Sequence, residues 1–194
     1  RRSSDLVHIF LPSSWDSLVS TLHSLPAYLF SPARHKSTHR RIHSLILDDV
    51  DAFIWPLRAA HADKNTSTRS TTSPFTTASH QLTAQVKTLT AQLACHAVLT
   101  SSSLTPFLFR PPLPTAWPSG LNMTRLGVRR VEVVKFAPEM SVEQAEGEKG
   151  QRGEVVRRGR FEVWKVSTGP GQEAGERFVF RVGERGVEIE RGGG

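Results

Sequence analysis

Apolar residues along this chain recur at two spacings. Trp15, Leu18, Val19, Leu22 and Leu25 return at helical intervals, and Leu82, Val86, Leu89 and Leu93 stand at i, i+4, i+7 and i+11. Each set predicts an amphipathic helix. The first runs from Trp15 to about Leu25, opened by a capping-box-like Ser13-x-x-Asp16 and closed near Pro26. Other apolar runs are short and unbroken. Leu6–Leu11 (LVHIFL) predicts a strand. In Ile42–Arg58, the residues Leu45, Ile46, Leu47 and Val50 flank Asp48 and Asp49. A run without polar alternation suits a strand buried on both faces, as in a parallel sheet under helices. His96–Thr100 (HAVLT) predicts the next such strand and ends in the hydroxyl run Ser101–Ser103. Strand, helix, strand, helix, strand amounts to two βαβ crossovers.

Beyond Thr124 the pattern changes. Thr124–Phe136 is strand-like, Phe161–Val166 and Arg177–Val182 form an expected antiparallel pair, and Gly186–Ile189 closes the sheet. The expected fold class is α/β. It comprises one mixed, mainly parallel sheet with helices on its faces and antiparallel strands at the C-terminal end, in a single domain over residues 1–194. Four stretches read as flexible connections. They are the Ser/Thr-rich 61–79, the proline-bearing 105–122, the charged 141–160, expected to be an insertion, and the Gly/Pro/Glu loop 167–176.

Composition narrows the function classes. Lys and Arg number 25 against 18 Asp and Glu, a net charge of +7 that favours an anionic partner, nucleic acid before membrane. No acidic residue lies between Asp63 and Glu132, so the positive field belongs to the middle of the chain. A lone cysteine, Cys95, excludes an internal disulfide framework and reads as a buried thiol. No apolar run approaches the ~18 residues of a membrane span. The chain opens Arg1-Arg2-Ser3 without methionine or signal-peptide pattern, and on that ground a fragment of a longer protein is expected.

The chemistry centres on Asp48. A carboxylate at the carboxyl end of a buried parallel strand sits on the rim where α/β sheets bind ligands, and in nucleotide-hydrolysing folds it holds a magnesium ion on the phosphates. A second constellation is aromatic and basic. Phe107, Phe109 and Trp117 accompany Arg110, a cation beside stackable rings as single-stranded nucleic acid favours, and Arg125, Arg129 and Arg130 could meet phosphates. His35, His39 and His43 stand four apart and could share a helix face, but zinc needs a fourth ligand. Ser13, Ser101 and Asp51 have no G-x-S-x-G elbow to make a hydrolase triad.

In order and wording these segments resemble the second half of the RecA-like recombinase ATPase core. Ser44–Asp49 (SLILDD) resembles the Walker B strand, and HAVLTSSS the sensor strand. TRLGVRR at Thr124–Arg130 resembles the Thr-Arg-Leu strand, and Glu176–Ile189 (ERFVFRVGERGVEI) the closing hairpin. LDDVDAFIW and FLPSSWDSLVSTLHSL are most similar to fungal recombinase paralogues of the X-ray-repair cross-complementing type. The resemblance covers nearly the whole chain. It implies a nuclear role in homologous recombination and double-strand-break repair, as a mediator that binds DNA, single strands in particular, and other RecA-like recombinase or paralogue subunits. It also implies a nucleotide site for ATP and Mg2+, with Asp48 as the magnesium-side carboxylate. Asp49 stands beside it, where the family often has Ser. Residues 61–79 and 105–122 would correspond to the two DNA-binding loops.

The sequence departs from the family at the phosphate loop. The first glycine is Gly120, well after Asp48, and no glycine-lysine-hydroxyl run occurs. The family's catalytic glutamate has no counterpart either, so no catalytic residue is assigned. The chain as given should not hydrolyse ATP, and Asp48 alone would bind magnesium weakly. Two expectations follow: a non-catalytic adaptor, or a DNA-dependent ATPase whose P-loop lies in an upstream half.

Overall fold

The computed structural model describes residues 7–34, 38–64, 74–103, 111–115, 117–132, 136–166 and 177–190, without the side chains of residues 60–64 and 74. The chain forms two compact units, Arg1–Leu121 and Asn122–Gly194, and each is treated by itself.

In the first unit, α1 (Trp15–Leu29) buries Leu18, Leu22, Leu25 and Leu29 along one stripe. Its N-cap is Ser14, one residue later than the sequence pattern suggests, and the Ser14 hydroxyl accepts the Ser17 amide at 3.1 Å. The helix continues through Pro26 rather than stopping there, with the Phe30 amide donating to the Pro26 carbonyl. The parallel strands β1 (Ser44–Leu47) and β2 (His96–Leu99) pair from Ser44↔His96 to Leu47↔Leu99. Between them run α2 (Ile54–Lys64) and α3 (Pro74–Leu93). Leu82, Val86, Leu89 and Leu93 of α3 meet the α1 stripe, together with Leu47 and Val50, in one core.

Several expectations for this unit need correction. Residues 7–12 form no strand; His8 and Phe10 instead stand edge-on to Tyr28, at ring-centroid distances of 5.6 and 5.3 Å. Only the second βαβ crossover is therefore present among the described residues. The parallel pair is not buried on both faces. Leu47 lies in the core, whereas Ile46 and Val98 point the other way and are 64% and 49% exposed. The stretch 61–79 is not one loop, since α2 reaches Lys64 and α3 begins at Pro74; residues 65–73 lie outside the described residues. Ser79 and Thr83 are fully buried, and the Thr83 hydroxyl donates to the Ser79 carbonyl at 2.8 Å. Hydroxyls satisfied on their own helix turn make a polar stretch compatible with a buried face.

The second unit is a four-stranded antiparallel sheet in the order β3-β4-β5-β6: β3 (Leu126–Arg130), β4 (Arg160–Lys165), β5 (Arg177–Gly183) and β6 (Gly186–Glu190). The β4–β5 pair and the closing β6 match the sequence reading. The strand expected over Thr124–Phe136 is shorter, and residues 133–135 lie outside the described residues. The described strands thus form two sheets, one parallel and one antiparallel, in place of the single mixed sheet expected. The 141–160 stretch is helical for most of its length. Its elements are α4 (Val142–Gly147), entered by a Ser141–Gln144 capping box, and α5 (Lys149–Arg157). The loop 167–176 lies outside the described residues.

One sheet face is held by Trp164 and by charge pairs. Trp164 lies over Gly127, where a Cβ would come within 2.5 Å of the indole carbons. The Arg129 guanidinium stands 5.4 Å from the indole centroid. Gly127→Ala should swing the ring out, red-shift its fluorescence and cost about 1–3 kcal/mol in a denaturant titration, the usual range for overpacking. On the same face Arg160 pairs with both Glu132 and Glu190. Hydrogen bonds from Arg160 hold the Glu190 carboxyl below its ordinary range. A carboxylate depressed in the folded state stabilises above its unfolded pKa and loses that contribution as pH falls through the folded one. Amides of β6 should therefore lose hydrogen-exchange protection on acidification through and below pH ~4.5, with Glu190→Gln removing the pH step.

Candidate functional site

The carboxyl ends of β1 and β2 are laced together. Thr100 donates its amide to the Leu47 carbonyl and accepts the Val50 amide on its own carbonyl, both at 3.0 Å. The Thr100 hydroxyl donates to Asp48 Oδ1 at 2.5 Å and accepts the Asp49 amide at 2.8 Å. Asp49 adopts φ 50°, a left-handed conformation that Asp tolerates better than most residues and that turns the chain sharply after the strand. Asp48 and Asp49 both remain exposed. Asp48 therefore occupies the rim position expected of it, oriented by a hydroxyl from the neighbouring parallel strand.

Three residues on, Asp51 has a different environment. It is 7% exposed, and Oδ2 accepts from the Ser101 hydroxyl at 2.5 Å and the Ser102 amide at 3.0 Å, while Oδ1 accepts the Leu113 amide at 2.9 Å. Leu113 is itself fully buried, the Thr115 amide donates to the Ser79 hydroxyl at 2.8 Å, and Lys87 donates to the Ser119 carbonyl at 3.2 Å. The described part of the 105–122 connection, though without helix or strand, is thus tied down at several points. Ser101 donates directly to Asp51 with no histidine interposed, so the pair has the geometry of a structural brace and not of a nucleophile and its base.

Magnesium is the cofactor these residues must be tested against. It keeps several waters and takes one or two carboxylates plus substrate phosphates. A single exposed, hydrogen-bonded carboxylate on a strand rim fits one such ligand. Among the described residues no group of three or more His, Cys, Asp and Glu could hold a metal ion. Residues 38–43 are not helical, so His39 and His43 do not share a helix face, and His35 lies outside the described residues. Cys95 is half-buried against the core, and burial raises its thiol pKa.

Of the residues expected to meet DNA, Trp117, Arg125, Arg129 and Arg130 lie among the described residues. Phe107, Phe109 and Arg110 lie outside the described residues, and Trp117 is half-buried in the first unit. Arg125, Arg129 and Arg130 belong to the second unit, where strand alternation sends Arg129 and Arg130 to opposite faces. Arg129 pairs with Glu162 at 2.6 Å; Arg130 stands 5.0 Å from the Phe161 ring centroid and donates to the Val156 carbonyl. The sequence reading missed a further cation–ring cluster. Arg58 lies 5.2 Å from Trp55 and 5.7 Å from Phe75, with Trp55 63% exposed. An i, i+3 Trp-x-x-Arg spacing on a helix was the available signal.

No family model matches the chain, and no curated protein matches it. Among the described residues no helix is long and apolar enough to cross a membrane.

Proposed function

We propose that the protein is a recombinase-paralogue-type mediator that supports homologous-recombination repair of DNA double-strand breaks in the nucleus. In this reading it binds single-stranded DNA together with other RecA-like subunits and carries the Walker B side of a nucleotide site. The observation that supports it most is Asp48 on the carboxyl rim of a parallel strand, hydrogen-bonded to Thr100 just past the end of the adjacent strand across the α3 crossover. Asp48 and Thr100 would orient a magnesium ion bound to ATP, whose charge the ion would offset. Asp49 would stay solvent-facing beside it. The exposed Trp55–Arg58 pair adds stacking chemistry and positive charge to the same unit.

The reading is tested by fluorescence anisotropy on a labelled single-stranded oligonucleotide, with and without a purified RecA-like recombinase. Affinity should fall steeply between about 50 and 200 mM salt, as phosphate contacts require. A flat salt response would remove the DNA contact. In the same complex Asp48→Ala should weaken magnesium-dependent binding of an ATP analogue by about tenfold or more, the scale of a lost metal-site interaction. Unchanged binding would leave a nucleotide-independent adaptor.

A further inference from the structure

The sheet of the second unit has two chemically distinct faces. Pairings such as Val128↔Val163↔Phe178 and Phe161↔Phe180↔Ile189 set the cross-strand neighbours that share a side. Every carboxylate of the four strands, Glu162, Glu188 and Glu190, falls on the Trp164 side. There Arg129, Arg160 and Arg177 all have acidic partners. The other side is apolar. Leu126, Val128, Phe178, Val182, Val187 and Ile189 on it are between 44% and 66% exposed. Its only charged strand residues are Arg130 and Lys165, at opposite ends of the β3–β4 pair, and neither has a carboxylate partner among the described residues.

A sheet needs a second layer over its apolar face. Within this unit α4 and α5 bury no residue of their own, and α5 meets this face only at one corner, where Arg130 donates to the Val156 carbonyl; Val163 in the central strand is 6% exposed, while the residues around it on β3, β5 and β6 stay open. Four strands span three gaps of about 4.8 Å, roughly 14 Å, close to the ~10–12 Å diameter of one helix with its side chains. Strands of 5 to 7 residues are matched in length by a helix of about 12–15 residues. A second copy of this chain fits poorly, because stacking two such faces brings unpaired cations together with no carboxylate between them. Single-stranded nucleic acid fits less well than a helix. The exposed surface is mostly aliphatic, Phe161 and Phe180 are stacked on each other at 5.4 Å, and two cations are few for a phosphate backbone.

We propose that this face is a docking site for one amphipathic helix of a partner protein, leucine-rich on its inner side and bordered by Asp or Glu that meet Arg130 and Lys165. The inference goes beyond the nucleotide and DNA reading and does not depend on it.

Two synthetic helical peptides of about 15 residues with the same leucine face, one bordered by Glu and one by Lys, test it against the full chain by calorimetry. The Glu-bordered peptide should bind at one site, and the Lys-bordered one should be at least about tenfold weaker, the penalty expected of like charges at an interface. Lys165→Glu, an exposed change at the strand end, should narrow or invert that preference with an unchanged circular dichroism spectrum. Ile189→Ser should weaken both peptides. Equal affinity for the two peptides, or none for either, overturns the proposal. So does displacement of the Glu-bordered peptide by a thymidine oligonucleotide, or sedimentation of the free chain as a dimer that Ile189→Ser dissociates.

Discussion

Asp51→Ala is expected to unravel the braced end of the parallel pair, at a cost of about 3–5 kcal/mol. The substitution removes an acceptor that holds three donors, the Ser101 hydroxyl and the Ser102 and Leu113 amides, in a place with little access to water. A buried donor left without a partner costs about 1–3 kcal/mol, and some of that returns as water enters the gap. Asp51→Asn should fall between wild type and alanine, since its amide group presents donors where an acceptor is needed. The direct readout is hydrogen exchange at Ser102 and Leu113, which should lose most of their protection. Asp48→Ala, three residues earlier, is the control. Its side chain is exposed and accepts one hydrogen bond, so its stability should stay within about 1 kcal/mol of wild type. Equal losses at the two positions would contradict the division of labour between them.

The second large effect is expected at Leu82. It is fully buried on the α3 stripe that faces Leu18, Leu22, Leu25 and Leu29. Leu82→Ala leaves a cavity between two helices whose positions are also fixed by β1 and β2, so the site cannot easily collapse. A loss of about 2–5 kcal/mol in urea unfolding is expected. Ile46→Ala, on the uncovered side of the same parallel pair, should cost no more than about 0.5 kcal/mol. A large loss there would mean that the open side of the pair is covered in solution.

What could be read in the chain divides along physical lines. α1 and α3 were legible because their apolar residues keep strict helical spacing, and the β4–β5–β6 meander because alternation and glycine turns mark it. The place of Asp48 just past β1 was legible because the apolar run stops there, at Leu47. α2 was missed because IWPLRAAHADK has almost no amphipathic pattern, and the start of α3 because its Ser and Thr resemble a linker until their hydroxyls fold back on the helix. An unbroken apolar strand does not reveal whether both sides are covered. Ile46 and Val98 are as apolar as Leu47 yet face outward. Asp51 carries the same letter as Asp48, and its buried surroundings come from Ser101, Ser102 and Leu113, 50 to 62 residues away, which no local pattern announces.

The hydrogen bonds at the rim are also connected in series. Asp48 is joined to Thr100, the next two residues of the chain to Asp51, Asp51 to Leu113, and Thr115 to Ser79 on α3. The described segment 111–115 and the acidic tip therefore share one uninterrupted line of hydrogen bonds, with Asp51 as the link that the whole line passes through.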